Sequence, residues 1–156
     1  MPQTDRVMEI LSQTKLLARE YRQVTGKPLG VTGEVAEYEA ARILNLQLSL
    51  ARQAGYDAIE TANGLTRRLQ VKGRCILDAS KRSQMVPSID VRHVFDAVLL
   101  VLLDENLEAF AIYEAERGSV IAALSAPGSV ARNKRGAMAV SKFKAIGKVR
   151  WLRPAA

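Results

Sequence analysis

The sequence has very few residues that cross-link a chain or bind soft metals. Cys75 is its only cysteine and His93 its only histidine. A lone thiol cannot form a disulfide within the chain, and this pair falls short of the four ligands of a structural zinc site. We therefore interpret Cys75 as a small core residue and His93 as a structural or surface residue.

Long apolar runs are also missing. The longest is FDAVLLVLL at residues 95–103, which is about half the length that a membrane-spanning helix requires. The first ten residues, MPQTDRVMEI, contain Asp5 and Glu9 and lack the apolar stretch of a signal peptide. These features predict a soluble, cytoplasmic protein without a membrane partner. A length of 156 residues and a hydrophobic content of 48% predict a single domain with a substantial core.

Acidic residues are absent from the C-terminal segment, because no aspartate or glutamate follows Glu116. Nine of the 23 Lys and Arg residues lie in that segment, which leaves 14 basic against 16 acidic residues before it, while the whole chain has a net charge of +7. Such an asymmetry suits a polyanionic partner. We favour DNA as this partner, with RNA open, over a solvated tail that binds nothing.

Hydrophobic periodicity predicts that the chain begins with two helices. The first is amphipathic and covers about residues 4–24, with Lys15 among the basic residues outside its apolar stripe. The stripe consists of Val7, Leu11, Ala18 and Tyr21. It suits packing on a sheet and the seam of a homodimer equally well. The second helix is expected to begin after Thr32, as its N-cap, and to run to about Asn45.

Three short strands are predicted next. They are LQLSLAR at 46–52, GYDAIET at 55–61 and RRLQVKGR at 67–74. Asn63-Gly64 lies between the last two, and because both residues tolerate positive φ, this pair predicts a type I′ hairpin. The strands that contain Asp57 and Lys72 should therefore be antiparallel neighbours.

The second half of the chain predicts more strands than helices. A polar, irregular stretch at 78–93, with at most one short helix, precedes a strand at 95–104 that is apolar on both faces, as expected for a central buried strand. After it we expect a strand at 107–115, a short helix at 117–126, a long basic loop at 127–142 and a last strand at 147–152.

These elements predict an α/β fold, more closely a mixed α+β sandwich around one central sheet. The whole chain, residues 1–156, is expected to form one domain. Its core would cover about residues 31–115, preceded by the N-terminal helix at about 4–24 and followed by the basic C-terminal segment at 117–156.

Four polar residues occupy chemically suggestive positions in these elements. Glu34 lies in the first turn of the second helix, Asp57 on the first strand of the hairpin, and Gln70 and Lys72 on its second strand. Because strand side chains alternate between faces, Gln70 and Lys72 share one face of the sheet. Each residue alone is typical of a solvated surface, whereas the combination is typical of a metal-dependent phosphodiesterase site. Asp96 either begins the buried strand or helps to orient Lys72.

This layout resembles the PD-(D/E)XK nuclease superfamily, through the segments GEVAEYEAARIL, GYDAIETANGLTRRLQVKGR and FDAVLLVLLD. Its D…QxK form is similar to that of Mrr-type restriction endonucleases. The resemblance covers about residues 31–103 and implies a restriction-endonuclease-like domain with an αβββ core followed by a buried strand. The chain departs from the superfamily pattern at Tyr56, which replaces a proline, and at Gln70, which replaces an acid and so removes one negative charge.

The resemblance implies a Mg²⁺-dependent endonuclease that acts on DNA, with Mn²⁺ able to substitute. The implied metal ligands are Asp57, the side-chain oxygen of Gln70, the backbone carbonyl of Val71, and Glu34 either directly or through water. Lys72 is expected to orient or deprotonate the attacking water and to stabilise the pentavalent phosphate. Asp57, Gln70, Lys72 and Glu34 are thus the implied catalytic residues.

Six basic residues are candidates for contacts with nucleic-acid phosphates, and loops are their expected location. They are Arg74, Lys81, Arg82, Arg132, Lys134 and Arg135. Two alternatives to a nuclease stay open. One is a catalytically inactive module of the same fold that binds nucleic acid or a partner, and the other is a regulatory protein whose basic segment binds an acidic protein.

Overall fold

A computed structural model describes residues 3–53, 55–78, 80, 84–127 and 136–155. The helices and strands of the described residues, in chain order, are α1 (Gln3–Thr25), α2 (Thr32–Leu44), β1 (Gln47–Gln53), β2 (Tyr56–Ala62), β3 (Leu65–Cys75), β4 (Met85–Val86), β5 (Ala97–Leu103), β6 (Ala109–Glu116), α3 (Arg117–Ser125), β7 (Met138–Ala139), α4 (Val140–Ile146) and β8 (Lys148–Leu152). They form one mixed α/β domain, as the sequence predicts. Among these helices none is both long and apolar enough to cross a membrane.

The centre of the domain is a six-stranded sheet with the strand order β1-β2-β3-β5-β6-β8. β3 and β5 run parallel to each other, and the other neighbours are antiparallel. β5 is buried along its whole length, as expected for an apolar strand that lies between two neighbours and is covered on both faces. β4 and β7 form a separate two-stranded antiparallel ribbon.

Two hydrophobic clusters lie on opposite faces of this sheet. On the first face, α2 packs on residues such as Leu69 and Leu99. On the second face, α3 and α4 pack on residues such as Leu100. Gly73 explains how closely α2 approaches β3, because a Cβ at this position would lie 2.5 Å from the Cβ of Ala36.

The hairpin between β2 and β3 has the predicted turn. Asn63 and Gly64 both have positive φ, 53° and 77°, as a type I′ turn requires. From this turn, the backbone pairing of the two strands runs from Ala62↔Leu65 to Ala58↔Leu69. The turn therefore sets the register that positions Asp57 relative to Gln70 and Lys72.

The predicted buried stripe of α1 is wrong at two positions. Tyr21 is 39% exposed, whereas Lys15 is only 8% exposed. Lys15 lies one helical turn after Leu11 and one before Ala18, so it belongs to the inward-facing stripe. It tolerates this position because its amine pairs with buried Glu39 at 2.6 Å.

The predicted N-cap of α2 is also wrong. Thr32 is the first residue of the helix, and Val31 occupies the cap without a side-chain hydrogen bond. At the other end, Asn45 adopts a left-handed conformation with φ 56° and terminates the helix, which agrees with the predicted boundary.

One helix, α4, lies in a segment whose composition predicts a loop. The expected loop at 127–142 overlaps the ribbon strand β7 and the start of α4. In α4 the buried side chains Val140 and Phe143 lie one helical turn apart, which is the spacing of a helix with one inward face. The short helix considered for 78–93 does not occur in the described part of that stretch, where β4 forms instead.

Candidate active site

The backbone ladder between β2 and β3 ends beside Asp57. One residue beyond the pair Ala58↔Leu69, Asp57 Oδ2 accepts a hydrogen bond of 2.8 Å from the backbone N–H of Val71. A side-chain carboxylate therefore meets β3 where a backbone carbonyl would continue the ladder. This places the Asp57 carboxylate directly against the segment that contains Gln70 and Lys72.

Gln70 is buried, although its sequence pattern is equally typical of an exposed sheet face. It is only 4% exposed, and its Oε1 atom is buried without a hydrogen-bond partner among the described residues. An unsatisfied buried acceptor of this kind costs about 1–3 kcal/mol. Such groups call for an explanation, which a bound water or a bound cation can supply.

Lys72 lies two residues further along β3 and is partly buried. Its Cα pairs with that of Leu100 on β5, as the Cα of Gln70 pairs with that of Val98. In the part of the chain that the structure describes, no carboxylate forms a salt bridge with Lys72. Its amine is thus held beside Gln70 without a competing ion pair.

The helix α2 contributes a carboxyl group that the sequence analysis missed. The pKa of Glu37 is raised from 4.5 to about 7 by burial, by the negative charges of Asp57 and Glu34, and by a hydrogen bond with Asp57, while the charge of Lys72 opposes the shift. Glu37 is partly buried and Glu34 is exposed. Of the two acids on this face of α2, Glu37 is therefore the one in contact with Asp57.

A signal for Glu37 was present in the sequence. Glu34 and Glu37 are three residues apart on a helix and so share one side of it. Choosing between them requires the rotation of α2 on the sheet. Close packing of Ala36 on Gly73 is one of the contacts that set this rotation, and it is a tertiary contact.

The oxygen donors at this site suit the Mg²⁺ ion that the family resemblance implies. In the described ranges, no group of three or more His, Cys, Asp or Glu side chains is arranged to hold a metal. Mg²⁺ does not require such a group, because it usually binds through one or two carboxylates and keeps several waters. Asp57 and Glu37 are two carboxyl groups in contact and suit one ion rather than two, while the unpaired Gln70 Oε1 is a further oxygen donor on the strand that Asp57 contacts.

The predicted role of the Val71 carbonyl stays a prediction. The contact that places Val71 at the site is made by its N–H group, which donates to Asp57. The side chain of Val71 packs in the hydrophobic cluster that α2 covers, so the backbone of this residue is the part available to the site.

One of the six predicted phosphate-contact residues can be placed. Arg74 is exposed, follows Gln70 and Lys72 on the same face of β3 by alternation, and donates a hydrogen bond of 3.3 Å from Nε to Gln84 Oε1. The other five lie outside the described residues, and they are Lys81, Arg82, Arg132, Lys134 and Arg135.

Two further polar residues near the buried strand have structural partners. Asp96 Oδ2 accepts a hydrogen bond from the backbone N–H of Arg68 at 2.7 Å and forms a salt bridge with the same residue. It therefore anchors the start of β5 to β3 and does not pair with Lys72. His93 is half-exposed and lies 3.6 Å from Asp90, so it contributes nothing to the site.

No family model fits the chain, and no curated protein shows significant sequence similarity to it. A function has to be inferred from the chemistry of the site.

Proposed function

We propose that the protein is a Mg²⁺-dependent endonuclease of the PD-(D/E)XK kind that hydrolyses phosphodiester bonds in DNA. The observation that supports this most directly is the position of the Asp57 carboxylate, which contacts Glu37 of α2 and accepts the N–H of Val71, the residue between Gln70 and Lys72. Asp57 and Glu37 provide oxygen donors for a cation, and the strand that Asp57 contacts adds the unsatisfied oxygen of Gln70 and the amine of Lys72.

Each residue has a role that follows from its surroundings. A bound Mg²⁺ would supply charge neutralisation at the phosphate and an activated water. Asp57, Glu37 and the Gln70 oxygen would hold it, and exposed Glu34 would act through water. Lys72 interacts with the charge of Glu37 but forms no salt bridge among the described residues, so its amine is available to the attacking water or to a phosphate oxygen.

A second candidate is a module of the same fold that binds DNA without cutting it. Two observations favour it. Gln70 is neutral where the superfamily has an acid, and the described acids do not form a group of three around a common point. Both reduce the negative charge that attracts a cation.

Cleavage of supercoiled plasmid in Mg²⁺ and in Mn²⁺ distinguishes the two. We expect the native protein to nick or linearise the plasmid, and we expect Asp57→Ala and Lys72→Ala each to lower the rate at least about a hundredfold, because each removes a group that acts on the phosphate or its ligand. The matched controls are Asp5→Ala and Lys27→Ala, which remove an exposed acid and an exposed lysine elsewhere and should cut normally.

Equal cutting by all variants would mean that the activity comes from another site or from a contaminant, and the proposal would then be wrong. Absence of cutting, combined with salt-sensitive DNA binding, would favour the second candidate.

A further inference from the structure

A cleft of about 520 Å³ opens between α1, α2 and β1, beside the candidate active site. Its volume is typical of sites that bind small organic groups. Its walls are mainly apolar and come from all three elements: Val7, Met8, Leu11, Tyr38, Leu46 and Leu48. Glu34 and Glu37 also line it. The cleft and the active site therefore share the acidic side of α2.

The charges of the cleft argue against a phosphate as its occupant. The carboxyl groups of Glu34 and Glu37 line it, and its one lining cation among the described residues is Arg42, whose guanidinium is already bound to Glu39 at 3.1 Å. A dianion or a phosphodiester would be repelled by the Glu34 carboxylate and would find no free cation there among the described side chains.

A neutral ring with polar edges fits the same lining well. Apolar walls suit the faces of such a ring, and Asn45, Gln47 and Ser49 at the cleft offer donors and acceptors to its edges. A nucleobase has this chemistry, and it is attached through its sugar to a phosphate that can stay outside.

We propose that the cleft receives one nucleoside adjacent to the scissile phosphate, with its base unpaired. This inference rests on the proposed function, because that function brings a phosphate to Asp57, which Glu37 connects to the cleft. A base stacked inside a duplex cannot enter a cleft, so it has to be single-stranded already or be extruded at an energetic cost. The preferred substrate is therefore DNA with unpaired bases.

Photocrosslinking tests this without depending on cleavage. A single-stranded oligonucleotide with one 5-iodouracil is bound to the protein in Ca²⁺, irradiated and mapped by mass spectrometry. We expect crosslinks to Met8 or Tyr38, both in the cleft. The same map is made for Leu11→Trp, which fills the cleft, and for Leu17→Trp, which adds the same side chain to α1 at a position that is 61% exposed.

The filled variant should lose crosslinking and bind the oligonucleotide about tenfold more weakly, as expected when one base no longer stacks on the protein, while Leu17→Trp behaves as the native protein. Ser49→Trp fills the cleft from β1 and serves if Leu11→Trp does not fold. On the activity side, native protein should cut a mismatched duplex about tenfold faster than a fully paired one.

This inference would be overturned by crosslinks that map outside the cleft. It would also be overturned if Leu11→Trp and Leu17→Trp crosslink and bind the oligonucleotide equally. If the native protein does cut DNA, either result leaves the proposed function intact. If the native protein neither cuts nor binds DNA in any metal, both are wrong.

Discussion

Gln70 shows how a single residue changes meaning between sequence and structure. In the sequence it alternates with apolar residues and resembles the polar side of an exposed strand. In the fold it is 4% exposed, with an oxygen that no described residue satisfies. Burying this oxygen without a partner destabilises the folded protein. A cation that binds there only in the folded state would offset this effect, because a ligand that binds the folded state alone stabilises that state.

Two substitutions at Gln70 test this at the residue scale by thermal unfolding with and without Mg²⁺. Gln70→Leu removes the unsatisfied oxygen, so we expect an unchanged or higher Tm without metal and no rise on adding Mg²⁺. Gln70→Glu buries a charge. We therefore expect a metal-free Tm at least about 4 °C lower, which corresponds to ~1–2 kcal/mol for a chain of this size, and a larger rise with Mg²⁺. A native-like response of Gln70→Leu to Mg²⁺ would exclude the amide as a ligand.

At the scale of elements, α1 is attached to the rest of the domain through a buried ion pair. Glu39 of α2 is fully buried and binds the Lys15 amine at 2.6 Å, and its other oxygen accepts the N–H of Ala109 at 3.1 Å. Burial alone would raise the pKa of Glu39, but hydrogen bonds from Lys15 and Arg42 outweigh it and hold the pKa below 4.5. One carboxylate thus joins α1, α2 and β6.

We expect Lys15→Met to lower the free energy of unfolding by about 3 kcal/mol at pH 7, because it leaves a buried carboxylate without its closest cation. Since the pKa of Glu39 is lowered in the folded state, its contribution is present above pH 4.5 and disappears as the pH falls through the folded-state pKa. The difference between native protein and variant should therefore shrink as the pH falls below 4.5. Urea unfolding at several pH values measures both effects.

The control is Arg6→Met, which breaks an exposed pair on the same helix with side chains 59% and 47% exposed. Such pairs contribute little, so this variant should match the native protein within about 0.5 kcal/mol. A similarly small effect of Lys15→Met would show that Glu39 is adequately held without Lys15.

At the scale of the whole molecule, the fold pairs three of the nine basic residues of the C-terminal segment with acids and hydrogen-bonds a fourth. Arg117 donates to the backbone carbonyls of His93 and Val91. The three basic residues on or next to β8 pair with acids of other elements: Lys148 with Glu114, Arg150 with Glu60 and Glu114, and Arg153 with Asp104. Among the other basic residues of the segment, the cluster Arg132, Lys134 and Arg135, outside the described residues, stays our candidate for binding a polyanion.

Replacement of the three residues of this cluster by serine should therefore weaken binding to DNA of any sequence. It should also reduce the slope of log K against log salt by about 3, because each of the three side chains would neutralise one phosphate and release its counterion. The comparison is the double variant Lys148→Ser and Arg153→Ser, whose charges are already paired within the fold and whose slope should change little. Titrations from about 50 to 300 mM salt, with a DNA competitor, measure this.

An unchanged slope in the cluster variant would place the phosphate contacts elsewhere. Binding that a DNA competitor cannot displace would instead favour an acidic protein as the partner.

Sequence periodicity predicted the features that depend on interactions between residues close together in the chain. The positive φ of Asn63 and Gly64, the burial of β5 and the shared face of Gln70 and Lys72 all follow from residues a few positions apart. Sequence periodicity failed where contacts between residues far apart in the chain decide the structure. Lys15 looked like a surface lysine because its partner, Glu39, is 24 residues away, and α4 was concealed because the composition around its two apolar anchors resembles a loop.

The candidate site divides in the same way. The sequence by itself determined the order of the elements apart from β4, β7 and α4, the hairpin register and the types of residue at the site, because alternation and turn preference act through neighbouring residues. Only the tertiary structure decided which acid of α2 contacts Asp57, that Gln70 is buried, and that a cleft opens beside them. Each of these depends on how α1 and α2 pack on the sheet, and that packing is set by contacts such as Gly73 with Ala36 and Lys15 with Glu39 between segments far apart in the chain.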